Sequence, residues 1–240
     1  MNDEKIKETA ESAILENPGR RIISFSLNGK TYWIKRKLGN RRNTWIKYSA
    51  EQEFLYEAAR ITIAAQACPE LVPPVEALTS DYIVTGDSGP SLSGWIKNPE
   101  LPADRKLHIL EMTGEGLAKL HESKIIHGRP ALRDITFKNE KITFLDWQSR
   151  LYFKDTAKQK IQDVLMLLHG LYRENYEEET LYAAALEKGY KHIAGEKTWK
   201  EMEQLLKKYR FIGRIAQKLN RFHWKDIEAL EKIYIHFRYI

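Results

Sequence analysis

The hydrophobic period of this chain changes once, and the change falls at a loop. Before Gly86, apolar residues alternate along short stretches. Arg21–Leu27 and Thr31–Lys35 flank Asn28-Gly29, a strong hairpin turn, and Val72–Leu78 and Tyr82–Thr85 read as two further strands. Two helices interrupt them. One covers residues 4–16, with Ile6, Ala10, Ala13 and Ile14 on one side, and stops at Asn17-Pro18-Gly19. The other covers Glu51–Ala67, with Phe54, Leu55, Ala58, Ile61 and Ala65 on one side, and stops at Cys68-Pro69. Beyond the Gly- and Ser-rich Gly86–Gly94 loop the repeat becomes helical, first over Leu107–Leu120 and then over nearly everything from Lys158 onward. The exception is a short strand pair, Ile135–Phe137 and Ile142–Leu145, around the polar turn Lys138–Lys141. A sheet-rich first third, a hinge and a helical remainder predict an α+β fold with domains at 1–86 and 87–240.

Composition narrows the class. The 240 residues are 42% hydrophobic, enough for a substantial core, and no apolar run approaches the roughly 18 residues that span a bilayer. The first residues lack the apolar block of a signal peptide, and the one cysteine, Cys68, excludes an intramolecular disulfide. A cytoplasmic chain is expected, with Cys68 as a small buried hydrophobe. The net charge of +6 points to an anionic partner. Basic residues gather in Lys35–Arg42 and from Lys207-Lys208-Tyr209-Arg210 onward; the plain reading of each cluster is a solvated face.

Several short motifs follow one another between Thr31 and Leu168. They are Tyr32-Trp33-Ile34-Lys35; a helix carrying Glu57 that runs into Val72-Pro73-Pro74-Val75; Leu117–His121 leading to Ile125-Ile126-His127-Gly128; Phe144-Leu145-Asp146-Trp147; and Lys158–Leu165 with Asp163. In this order the chain resembles the small bacterial members of the protein-kinase-like superfamily, and among them the lipopolysaccharide kinase group that acts on Kdo and heptose. The resemblance implies a bilobal fold, a small β-rich lobe with one helix and a larger helical lobe. It implies ATP and Mg²⁺ as cofactors and a small-molecule, sugar or glycolipid acceptor.

The resemblance also implies roles. Lys35 is similar to the strand lysine that holds nucleotide phosphates, with Glu57 as its partner on the next helix and Glu53, one turn earlier, as the alternative. Val84 and Thr85 are the other candidate nucleotide contacts. Asp134 and Asp146 are the candidate metal ligands, since Mg²⁺ takes one or two carboxylates together with phosphate oxygens. A second register makes Asp134 the base and Asn139 the ligand. It leaves seven residues from Asn139 to Asp146, too few for a strand pair, whereas twelve separate Asp134 from Asp146. Asp163 matches an acid that braces the loop backbone.

His127, Arg129, Arg133 and Asp134 are the candidate catalytic residues. His127 reads as fixing the loop through a ring hydrogen bond. Arg129 stands where the family pattern has its Asp, and a guanidinium stays protonated, so it is no general base. Arg129 and Arg133 suit an anionic acceptor or the migrating phosphoryl group; the alternative is pairing with nearby acids. No Gly-x-Gly-x-x-Gly precedes them, only Pro18-Gly19 and Asn28-Gly29. About seventeen residues separate Asp146 from Asp163 and no Ala-Pro-Glu follows, which leaves little room for a peptide-docking segment. Three readings result: a phosphotransferase, a catalytically silent nucleotide-binding regulator, and an anionic-surface or RNA binder. Nucleic acid is the least expected partner. The C-terminal basic helices either pack on the larger lobe or lie on an anionic inner-membrane surface.

Overall fold

The structure is a computed structural model that describes residues 2–38, 50–149, 151 and 153–239. The end of the first basic cluster, residues 39–42, lies outside the described residues. The chain divides into two compact units. One comprises Met1–Gly89 and Thr143–Ser149, the other Pro90–Ile142 and Arg150–Ile240. The Gly86–Gly94 loop therefore contains the division, but the first unit also takes in a short segment from far along the chain.

The first unit holds α1 (Asn2–Glu16), β1 (Ile22–Leu27), β2 (Lys30–Arg36), α2 (Ala50–Ala67), β3 (Val75–Leu78) and β4 (Tyr82–Gly86). The strands form an antiparallel sheet in the order β1-β2-β4-β3. Asn28 and Gly29 both take left-handed φ, +53° and +74°, so β1 and β2 close through a two-residue turn of the primed type. Alternation sends Ile23, Tyr32, Ile34, Ala77, Tyr82 and Val84 to one face, where Ile6 and Ala10 of α1 cover them. Lys35 falls on the other face by the same period. This unit thus carries two long helices where the resemblance implied one. β3 starts at Val75, not Val72, because Pro73 and Pro74 bring no N–H to a ladder. Cys68 is buried, as expected of a small hydrophobe.

The second unit holds α3 (Leu92–Lys97), α4 (Ala103–Glu122), α5 (Thr156–Arg173), α6 (Glu179–Ala194), α7 (Lys197–Lys208), α8 (Arg210–Leu219) and α9 (Lys225–His236). α3 begins inside the stretch read as loop, because Ser91 caps it by accepting the Gly94 N–H. α4 and α6 pack through Gly114 and Gly189: a Cβ at Gly189 would lie 1.9 Å from the Glu111 carbonyl oxygen, so the backbones touch where side chains would normally stand. Strands β5 (Ile135–Lys138) and β6 (Lys141–Phe144) form a hairpin, with left-handed Asn139 and Glu140 at its turn. No helix among the described residues is long and apolar enough to cross a membrane.

Candidate functional site

β2 and α2 bring the first group of side chains together. Lys35 Nζ donates to Glu57 Oε1 at 2.5 Å and to Asp146 Oδ1 at 2.8 Å. Glu53 is not the partner that Lys35 takes. Glu57 is buried on the inner side of α2, and burial pushes its carboxyl above the usual range while the Lys35 ammonium pulls it back down. Asp146 sits in a left-handed conformation, φ +61°, which Asp tolerates better than most residues. Its other oxygen, Oδ2, accepts from Gln148 Nε2 at 3.3 Å, and Gln148 Oε1 accepts from Arg21 at 3.0 Å. Arg60, one turn after Glu57, donates to the carbonyls of Trp147 and Ser149. Trp147 is fully buried, and its indole N–H donates to the Phe144 carbonyl. One helix therefore supplies both the acid that fixes Lys35 and the arginine that clamps the Asp146 turn.

The second group belongs to the other unit. Asp163 of α5 is fully buried, and its two oxygens accept the N–H groups of His127 and Gly128, each at 2.6 Å. Gly128 takes φ +92°, a conformation that disfavours any side chain. Gln162 Nε2 donates to the Gly128 carbonyl at 3.2 Å. His121 Nε2 lies 3.2 Å from Asp163 Oδ2, and its Nδ1 lies 2.7 Å from the Tyr190 hydroxyl. Burial holds that hydroxyl's pKa well above the usual phenol range. Beyond this braced turn, Arg129 lies 4.0 Å and Arg133 3.6 Å from Asp134 Oδ2.

The placements sort the expected residues. Lys35, Glu57 and Asp146 meet, and Asp146 belongs to the first unit although it lies within the expected 87–240 domain. Thr85 lies on the Lys35 face of the sheet, paired with Trp33. Val84 does not: it pairs with Ile34 and is buried against α1, so its side chain takes no part on the Lys35 face. His127 is buried, and the loop backbone is held at its N–H by Asp163. Asn139 is a left-handed residue in the turn between β5 and β6. Asn28-Gly29 makes the two-residue turn between β1 and β2. Arg36 and Lys37 make structural contacts, Arg36 to the carbonyls of Asn17, Pro18 and Arg20, Lys37 to Glu51. Sequence reasoning missed Arg21, Arg60 and Gln148. For Arg60 a signal existed: it lies three residues after Glu57, hence on a neighbouring part of the same helix face.

Among the described residues, no group of three or more His, Cys, Asp or Glu could hold a metal ion unaided. Mg²⁺ that arrives with a nucleotide needs only one or two protein carboxylates. Asp146, on a braced turn beside a lysine, fits that requirement.

No protein-family model matches the chain. It is 28% identical over 217 residues to an uncharacterized protein of Haemophilus influenzae, covering 88% of this chain and 87% of that one. It is 24% identical over 119 residues to the KEOPS complex subunit Bud32 of Pyrococcus abyssi, a protein-kinase-like protein, covering 50% of this chain and 54% of Bud32. The relationship supported is kinase-like. The two-unit α+β architecture, with a small antiparallel sheet first and a larger helical part after it, agrees with a bilobal kinase-like fold.

Proposed function

We propose that this chain is a phosphotransferase of the kinase-like type that uses ATP and Mg²⁺ and phosphorylates a sugar or glycolipid hydroxyl, such as one in a lipopolysaccharide core. One observation carries the reading: a single lysine shared between a buried glutamate and the carboxylate of a braced turn, Lys35 with Glu57 and Asp146. Glu57 holds the ammonium in place, so the lysine loses little freedom when it meets phosphate oxygens. Asp146 is then the carboxylate that takes Mg²⁺. The bound Mg–nucleotide would supply the transferable phosphoryl group and charge neutralisation at its oxygens.

In the second unit, the two guanidinium groups of Arg129 and Arg133 cluster beside Asp134. Such a cluster suits an anionic acceptor or a phosphoryl group, and Asp134 would ligate a metal only together with phosphate. Positioning and charge dominate phosphoryl transfer, so the lack of a carboxylate base at Arg129 would cost about 10²–10⁴-fold rather than the whole rate. The short interval between Asp146 and Asp163 supports a small acceptor over a protein.

The test is calorimetric titration of ATP with and without Mg²⁺, on the wild-type chain and on Asp146→Ala. Binding that needs both metal and Asp146 is expected. Equal binding by the variant would remove Asp146 from the site. Arg129 also favours a second reading, a nucleotide-binding regulator without turnover. Full nucleotide binding with no transfer to Kdo, heptose or water would select it.

A further inference from the structure

The most unusual surface of the molecule lies on α8 and the turn after it. Between Glu203 and Asp226 there are seven Lys and Arg and no Asp or Glu. α8 is also turned inside out. An amphipathic helix ordinarily buries its large apolar residues. Here the buried residues are Gly213 and Ala216, and the helix lies so close to α9 that a Cβ on Gly213 would meet the Tyr234 ring at 2.5 Å. The large apolar residues face solvent instead: Phe211 is 54%, Ile215 50% and Trp224 58% exposed.

At 3.6 residues per turn the exposed side chains form two adjacent ridges. Phe211 and Ile215 continue toward Phe222, while Arg210, Arg214 and Lys218 continue toward Arg221. Phe222 stacks on Trp224 with ring centroids 5.4 Å apart, and Arg221 lies over Phe222 at 4.8 Å, which lengthens the apolar ridge beyond the helix. Among the described residues, Arg173, Lys200 and Lys232 form ion pairs, and no ion pair is found for the cations of α8.

We propose that α8 and the Phe222–Trp224 turn form a docking surface for an anionic phospholipid bilayer, with Phe211, Ile215 and Trp224 entering the interface and Arg214 and Lys218 meeting headgroups. The charge identifies the occupant. A second copy of this surface would set seven cations against seven, which excludes an isologous pairing here. Nucleic acid would satisfy the cations and find Phe222 and Trp224 to stack on, but the exposed aliphatic Ile212 and Ile215 beside Phe211 suit acyl chains rather than bases. A convex helix with an apolar ridge beside a basic one matches a leaflet, where acyl chains and anionic headgroups lie at successive depths. The inference stands apart from the nucleotide reading, since it uses none of its residues.

The test is co-sedimentation of the full chain with phosphatidylcholine vesicles and with mixed phosphatidylcholine–phosphatidylglycerol vesicles. Binding to the mixed vesicles alone is expected. Arg214→Gln with Lys218→Gln should weaken it about 25-fold, roughly fivefold per cation. Phe211→Ser with Ile215→Ser should weaken it at least ~10-fold through lost apolar burial. All four positions are exposed, so these variants should keep the wild-type circular dichroism. Brominated lipid should quench the wild type more than Trp224→Phe. No binding to mixed vesicles would overturn the proposal. So would binding that survives the Phe211/Ile215 change in full, or RNA binding that outcompetes the vesicles and ignores that change.

Discussion

The two clusters differ in charge balance. In the first unit the Lys35 ammonium stands between two carboxylates, with the Arg21 guanidinium 4.0 Å from the second oxygen of Glu57; in the second, one carboxylate stands beside two guanidinium groups. The first is half-sheltered and keyed by a buried acid, so its geometry is set before any ligand arrives. The second is more open at its arginines, and its order comes from below, where Asp163 grips two backbone N–H groups. Rigidity therefore enters the first cluster through a side chain and the second through the main chain. A lysine needs such help because its stem is flexible, whereas a turn held at its amides presents whatever side chains it carries.

This contrast can be broken at its strongest point first. Asp163→Ala should destabilise the chain by about 3–5 kcal/mol, because two buried N–H groups and His121 lose their acceptor together. Asp163→Asn, which retains one acceptor oxygen, should lose less. Urea denaturation checks both, and a loss near zero would mean that the loop is ordered otherwise.

Lys35→Met comes next, at about 1–3 kcal/mol, since Glu57 stays buried without its ammonium but can take up a proton. Adding Glu57→Gln should recover part of that loss. A double-mutant cycle with no coupling would show that the pair is not what orders the first cluster.

The pH dependence sharpens the same point. Burial raises the Glu57 carboxyl above 4.5, so the folded chain holds this proton more tightly than the unfolded one. The contribution is greatest below 4.5 and declines as pH rises through the raised folded value. Wild type should lose stability relative to Glu57→Gln over that interval, and parallel pH–stability curves would contradict it.

The smallest effect on stability belongs to Arg129→Gln. The side chain is half exposed, so the change should stay within about 1 kcal/mol. Its effect should fall on turnover or acceptor affinity, with nucleotide affinity kept; a matching fall in nucleotide affinity would put Arg129 at the nucleotide itself.

Much of this was legible locally. Asn-Gly between alternating strands closes the first hairpin because that turn needs two left-handed residues. The twelve-residue gap before Asp146 holds a strand pair because a shorter one does not fit. Lys35 and Glu57 could be matched because the family resemblance pairs a strand lysine with a glutamate on the next helix, and both elements are plain in the sequence. The face that Val84 takes was not legible, because strand character is visible in sequence while the face a strand buries depends on which helix covers it. The Asp146 turn was assigned to the helical half because its neighbours in sequence are there, yet its hydrogen bonds run to Lys35 and Arg60.

By itself the sequence determined the order of elements, the turns between them and the concentration of positive charge, since these follow from local sterics and spacing. Only the tertiary structure decided that Arg60, Gln148 and Arg21 support Asp146 and that α8 faces its large apolar residues outward. Each of these depends on which surfaces meet, and close approach through Gly213 to Tyr234 turns the usual hydrophobic reading of a helix around.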